Sequence, residues 1–458
     1  MNPNSTQAPN APLNDSEYAI ELRPTLVLGL GGSGTRIALE LKARLEEELG
    51  PDSNYQDIIK ILCLDTAKEA RTTTQPNNPH KVVEISQETE MLRISSVPLR
   101  QLIMNRGENP AIDDILPESL ESTHVDQGAQ QVRRIGRISL MYHYETVLER
   151  LRQAVGALRA LGADRRQRFA ADGRPIRRVD SQRLRVFLLS SICGGTGGGT
   201  FIDMAYMARF IGTREGIEDA RSVEVVGMLL LPEVFPEVSS SGGERIRANA
   251  YASLLDLEYY NQITANEQTL YKVRFSEKRS LEVEGPPFTV AYLVTGKSKT
   301  GGITQGMADL SPLLADSLHL MITSRVGQQL DATLDNVKAQ LATYYKGYRA
   351  FYSALGVANL IYPRRWLQVR YGLMLMEQVL DNYILRPVGN DRRPIQEQVS
   401  RWLEGAAEAI RLQAGDLDTV IQPLTMLRRQ ANSVSDPQDS LMDAWRRAWG
   451  RFQNDYER

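Results

Sequence analysis

Between residues 191 and 200 the chain reads Ser-Ile-Cys-Gly-Gly-Thr-Gly-Gly-Gly-Thr. An apolar segment, Arg185-Val186-Phe187-Leu188-Leu189-Ser190, precedes this run and has the composition of a buried strand. The segment that follows, Phe201 to Arg209, has helical spacing. Each glycine costs backbone entropy on folding, so this many between a strand and a helix need a reason. A glycine turn at a helix N-terminus points unpaired N–H groups at one spot, where the helix dipole adds positive charge. That is the chemistry of a phosphate site, with Thr196 and Thr200 as further hydroxyl donors. The alternative is a tight turn whose glycines serve close helix–strand packing.

A second glycine turn lies near the start. The short strand Thr25 to Leu30 runs into Gly31-Gly32-Ser33-Gly34-Thr35, and residues 36–45 follow with helical spacing. Gly29, Gly31 and Gly34 fit G-x-G-x-x-G, and the next strand, Ile58 to Leu64, ends on Asp65. Alone, this unit equally describes a dinucleotide-binding fold with an acid at the ribose, and hence a Rossmann-type oxidoreductase. The downstream turn adds a second phosphate cradle at a strand's carboxyl end, the edge along which open α/β sheets bind ligands. Two cradles on one edge suit one nucleotide held from both sides.

Gly194 to Gly199 resembles the signature loop of the tubulin and FtsZ superfamily, G-G-G-T-G-[ST]-G, with Cys193 at the first glycine and Gly198 at the Ser/Thr. The stretches Gly128-Ala129-Gln130-Gln131-Val132-Arg133-Arg134-Ile135-Gly136-Arg137 and Tyr352-Ser353-Ala354-Leu355-Gly356 are similar to a divergent bacterial tubulin-like branch. The resemblance spans roughly residues 23 to 385 and implies a fold, a ligand and an assembly mode. The fold is an α/β three-layer sandwich with a mostly parallel sheet, then a central helix and a second domain, here mainly helical or incomplete. The ligand is GTP or GDP with Mg²⁺. The assembly is head-to-tail self-association into filaments, with nucleotide at the subunit interface and slow GTP hydrolysis completed by the neighbour.

Site residues carry over as follows. Gly31, Gly32, Ser33 and Gly34 would hold phosphates from one side, and Gly194, Gly195, Thr196, Gly197, Gly198, Gly199 and Thr200 from the other. Asp65 with Thr66 would touch ribose, hold Mg²⁺ through water, or cap the following segment. Gly128 and Ala129 would cap the γ-phosphate, with one of Arg133, Arg134 and Arg137, Arg133 foremost, balancing its charge. Glu244 and Arg247 are ribose candidates, and Asp316 is the base candidate with Asp309 as its alternative. A carboxylate there would select guanine over adenine, although Val294-Thr295-Gly296-Lys297 lacks the family's asparagine before the central helix. Asp331 and Asp335 are the candidate catalytic acids for the neighbour's γ-phosphate. If they are solvated surface acids instead, the protein is a nucleotide-gated scaffold without hydrolysis.

The remaining expectations come from composition and pattern. With 54 basic and 56 acidic side chains among 458 residues, nothing global points to nucleic acid. Cys63 and Cys193 are too few for a disulfide framework, and the four histidines show no metal-ligand spacing. No apolar run reaches membrane-spanning length, and residues 1–22 read as a polar disordered tail without signal-peptide layout, so a cytoplasmic location is expected. The expected divisions are a nucleotide-binding domain over 23–302, a central helix over 303–330 starting near Ser311 because of Pro312, a second domain over 331–390, and a helical region over 391–458 open to an unknown protein partner. Strands are expected at 81–85 and 354–362, one helix from Gly128 to about Leu161, and a hairpin from Thr269 to Thr295 whose inner strand is 288–294.

Overall fold

A computed structural model describes residues 19–324 except 68, 109, 117–127, 161–167, 180–183, 215–222, 237–242, 266–269, 277–278 and 297–305, and further on 352–354 and 364–379. The chain divides into two units, residues 1–358 and 359–458. In the second unit the described element is one helix, Arg364–Val379. The expected helical region over 391–458 lies outside the described residues.

The first unit is built on a seven-stranded sheet. Its strands in chain order are β1 (Thr25–Leu30), β2 (Ile59–Asp65), β3 (Met91–Arg93), β4 (Leu184–Ser191), β5 (Val223–Leu230), β6 (Val290–Val294) and β7 (Tyr352–Ala354). Their spatial order is β7-β6-β5-β4-β1-β2-β3, and every pairing is parallel. Residues buried on both faces explain why β1, β2, β4, β5 and β6 read as nearly continuous apolar runs. Alternation sorts them: Leu26, Leu28, Leu62, Leu64, Val186 and Leu188 face one core, while Val27, Ile61, Cys63, Phe187 and Leu189 face the other.

Helices cover both faces, giving three layers. On one face lie α1 (Gly31–Glu48) and α6 (Met307–Thr323), packed on each other through Ile37, Leu41, Leu45, Leu314 and Leu318. On the other lie α2 (Arg133–Tyr142), α3 (Tyr144–Ala160), α4 (Gly195–Arg214) and α5 (Gly243–Ala265), with Ile135, Leu151, Phe201, Met204, Tyr206 and Leu257 in that core. This is the expected α/β architecture with a mostly parallel sheet.

From β1 the chain passes through α1 to β2 on one side, and from β4 through α4 to β5 on the other. β1 and β4 are neighbours, with Leu30 opposite Ser190. The chain therefore leaves two adjacent strands in opposite directions and onto opposite faces. That is a topological switch point, where the carboxyl ends of the strands open a crevice.

Several elements differ from expectation. Both glycine-flanked helices start inside their glycine runs, at Gly31 and Gly195, and not after them. The expected helix from Gly128 to Leu161 is broken at His143, whose ring bonds the Ser95 carbonyl at 2.9 Å. Residues 78–84 form a hairpin with Thr72–Gln75, and the sheet edge is β3 instead. Within the span expected as one hairpin, Leu270–Ser276 pairs with Arg279–Glu284, whereas β6 belongs to the main sheet. Ile20–Leu22, at the end of the expected tail, pairs in parallel with Pro175–Arg178. α6 begins at Met307, and Pro312 sits inside it. The carbonyl that Pro312 leaves without an N–H partner belongs to Ala308, which is exposed to water. Of the strand expected over 354–362, only Ala354 is among the described residues, as the end of β7, which pairs with β6 and so extends the first unit's sheet.

Candidate functional site

A cavity of about 270 Å³ opens at the switch point. The first turn of α1 (Gly31, Gly32, Ser33) lies on one side and Gly194 to Gly197 on the other. The ends of β2 and β4 contribute Asp65, Thr66 and Ser191, and the loop Gly128 to Gln131 closes a third side. Phe235 and Ile246 form an apolar wall.

The two glycine turns touch. Gly31 has φ +65°, and a Cβ there would lie 3.2 Å from the Gly197 nitrogen and 3.4 Å from Thr196 Cβ. Leu30, the residue capping α1, makes no side-chain cap bond, and the first turn of α1 carries no acid. The first-turn N–H groups of a helix have no intrahelical acceptor, so α1 and α4 both direct donors and positive dipole ends at this cleft.

Not every glycine faces the cavity. Gly34 packs on β4, where a Cβ would overlap the Leu189 carbonyl oxygen. A Cβ on Gly198 would lie 2.8 Å from the Ile192 oxygen, and one on Gly199 would overlap the Arg133 oxygen. Thr200 is fully buried and donates to the Thr196 carbonyl at 2.8 Å. Two of the five glycines in the run, Gly198 and Gly199, therefore serve helix–strand and helix–helix approach alone, and Gly194, Gly195 and Gly197 line the cleft.

Thr66 joins three loops. Its Oγ1 accepts from the Ala129 N–H at 2.9 Å and shares a hydrogen bond of 2.7 Å with Thr196 Oγ1. Asp65 Oδ1 accepts from the Ala67 N–H at 3.2 Å, an Asx-type turn, and from the Thr196 hydroxyl at 3.5 Å. Burial pushes the Asp65 carboxyl above its usual range, against the opposing pull of the Ala67 N–H and of Arg71. Cys193 also lines the cleft; burial pushes its thiol up to about 12, and its Sγ–H donates to the Leu230 carbonyl at 3.6 Å.

Other expected site residues lie elsewhere. Arg133 donates to the Gly198 carbonyl at 3.0 Å and pairs with Asp256, so it clamps α2 to α4 and α5. Asp316 is not among the cavity residues; it pairs with Arg44 across the α1–α6 interface. Glu244 and Arg247 are exposed on the first turns of α5, flanking Ile246, which does line the cavity. Asp331 and Asp335 lie outside the described residues.

Sequence reasoning passed over Arg71, which lines the cleft and donates to the Gly32 carbonyl at 2.6 Å. It also passed over Asn249 and Ser253. Asn249 Nδ2 donates to the Gln131 and Cys193 carbonyls at 2.7 and 2.9 Å, and Ser253 donates to the Ile192 carbonyl at 2.9 Å. The pair is spaced i, i+4 on α5, a polar stripe visible in the sequence once the helix is placed. Among the described residues, no group of three or more His, Cys, Asp or Glu is arranged to hold a metal ion.

An open parallel sheet with two glycine-initiated helices meeting at its switch point defines an α/β protein with an anion-accepting cleft. The family model described as "Tubulin like" matches residues 26–380, and the chain belongs to that family. Membership decides against the oxidoreductase alternative. No curated protein matches the chain. Among solved structures, CetZ from Methanosaeta thermophila matches at 15% identity and TM-score 0.34, over 66% of this chain and 54% of that one. CetZ2 from Haloferax volcanii, described as a GTPγS-bound protofilament, matches at 14% and 0.33, over 65% and 57%. TubZ of Bacillus thuringiensis serovar israelensis, a GTPγS-form protofilament, matches at 13% and 0.32, over 68% and 58%. The chain thus spans a little over half the length of each. The family assignment rests on the sequence match alone.

Proposed function

We propose that this protein binds GTP with Mg²⁺ in the switch-point cleft, self-associates head to tail with nucleotide at the subunit interface, and hydrolyses GTP slowly as it forms filaments. The observation that carries the phosphate part is the convergence of the α1 and α4 N-termini on one cavity, across touching glycines. Gly31 to Ser33 and Gly195 to Gly197 donate backbone N–H groups to phosphate oxygens, and hydrogen bonds to an ionised acceptor are the strong kind. The φ of Gly31 and the close approach of Gly197 leave no room for side chains, as a cradle for phosphate requires.

Guanine, filaments and turnover rest on membership in the tubulin-like family. When bound, Mg²⁺ would neutralise phosphate charge. Asp65 is the one carboxylate among the described lining residues, so the ion's protein contact would run through this residue and water. Phe235 and Ile246 offer an apolar face to the flat part of the nucleotide. Hydrolysis would need an acid from a second subunit, for which Asp331 and Asp335 are the candidates.

The test is GTP turnover per molecule against protein concentration, with Mg²⁺ and with ATP as comparison. A rate per molecule that rises with concentration supports an active site completed by a second subunit. A flat rate removes the head-to-tail reading, and turnover of ATP equal to that of GTP removes guanine selection.

A further inference from the structure

Arg71 stands at the foot of the hairpin Thr72–Gln75/Asn78–Glu84. That hairpin is fastened along α1. The Thr73 hydroxyl donates to Glu40 at 2.9 Å, and the Asn77 N–H and side-chain amide donate to Glu47 at 3.0 and 3.1 Å. The start of the Arg71 side chain is therefore fixed relative to the cleft. Its guanidinium lies over the first turn of α1, where a Cβ on Gly32 would sit 2.6 Å from Nη2. One donor of the planar fork goes to the Gly32 carbonyl. The fork has five, and it matches phosphate oxygens in a way no lysine does. The nearby Glu69 stands 3.8 Å away and is itself largely exposed, a weak competitor.

Charge balance points the same way. Two helix N-termini supply roughly half an elementary charge each, and a triphosphate brings several negative charges. Asp65 adds to the negative side. Among the described residues lining the cavity, Arg71 is the cation present.

We propose that Arg71 binds the terminal phosphate of a nucleoside triphosphate in this cleft and so distinguishes triphosphate from diphosphate. The proposal rests on the nucleotide reading above. Its test is equilibrium binding of GTPγS and of GDP, each with Mg²⁺, to the full chain and to the Arg71→Gln variant, which keeps a polar side chain and removes the charge. The wild type should prefer GTPγS. R71Q should lose roughly 10- to 100-fold in GTPγS affinity, the range of a charge-assisted bond, and less than about threefold for GDP. Equal loss for both nucleotides, no loss for either, or a wild type without preference overturns the proposal. If R71Q loses GDP as well, the side chain holds the cleft together and does not read the terminal phosphate. A wild type that binds neither nucleotide overturns the nucleotide reading itself, whereas a wild type that binds both beside an unaffected R71Q overturns this inference alone.

Discussion

Gly31 and Gly34 are three residues apart in the same motif and constrain the protein differently. A methyl group at 34 would press into a strand carbonyl in the middle of the sheet, which cannot retreat. Gly34→Ala should therefore act on the fold, costing about 1–3 kcal/mol as an overpacked core does, read as a lower thermal midpoint without ligand. At 31 the left-handed backbone penalises any side chain by roughly 1–2 kcal/mol, and the added methyl also enters the gap between the two turns. Gly31→Ala should lower nucleotide affinity by a larger factor than Gly34→Ala does, relative to its stability loss. Thr66 gives a third residue-scale prediction. Thr66→Val leaves the buried Ala129 N–H without its acceptor and the Thr196 hydroxyl with only its longer contact to Asp65, a loss of about 1–3 kcal/mol. Thr66→Ser should restore most of it, because the hydroxyl and not the methyl carries both bonds; failure of the serine variant to recover stability would refute the assignment.

At the scale of elements, α1 and α6 are joined by polar contacts as well as by their apolar seam. Arg44 reaches Asp316, and Glu48 meets His319 at 2.8 Å and Arg174 at 2.8 Å. Burial pushes the Glu48 carboxyl up, but His319 and Arg174 outweigh it and hold the group down to about 2. A carboxyl lowered in the folded state stabilises above its unfolded pKa, and that contribution fades as pH falls towards the folded value. Stability should thus decline between about pH 4.5 and pH 2, with Glu48 accounting for on the order of 2 kcal/mol after allowance for its partial exposure. Glu48→Gln should flatten that part of a denaturant-midpoint-versus-pH curve; an unchanged slope would rule Glu48 out as its source.

Elements also show what a sequence can and cannot announce. The parallel sheet was legible because both-face burial writes long apolar runs such as Val186 to Leu189 and Val225 to Leu230. The two glycine turns were legible as an excess of glycine between a strand and a helix, much of which the structure uses for close packing. Helix starts within those turns were not, since glycine reads as a break and only the contacts of Gly198 and Gly199 with Ile192 and Arg133 show why it is tolerated inside α4. β3 is three residues long and carries too little pattern to announce itself. Arg71 was hidden because a lone arginine in a polar loop has no periodicity, and the pairing of Asp316 with Arg44 was hidden because the two lie far apart in the chain.

At the scale of the whole molecule, the first unit contains the cleft with its lining residues, and the family match runs from residue 26 to 380. Among the described residues, no helix is long and apolar enough to cross a membrane. A ligand that binds only the folded first unit should raise its unfolding free energy by about 2.7 kcal/mol at a hundredfold excess over its dissociation constant. If calorimetry resolves two transitions, GTPγS should move one of them and leave the other in place. Movement of both together would mean that the two units unfold as one body.

The contact between Gly31 and Gly197 has a last consequence. It brings the like-signed ends of two helices side by side, with no acid in the first turn of either to quiet them. Two such ends repel, and an anion between them turns that repulsion into a shared attraction. On the proposed reading, the bound phosphate would be a counter-ion that the fold itself uses, a rivet through the junction of the two halves of the sheet. Binding and cohesion would then be one property at this point, and whatever loosened the grip on the anion would also loosen the protein at its very centre.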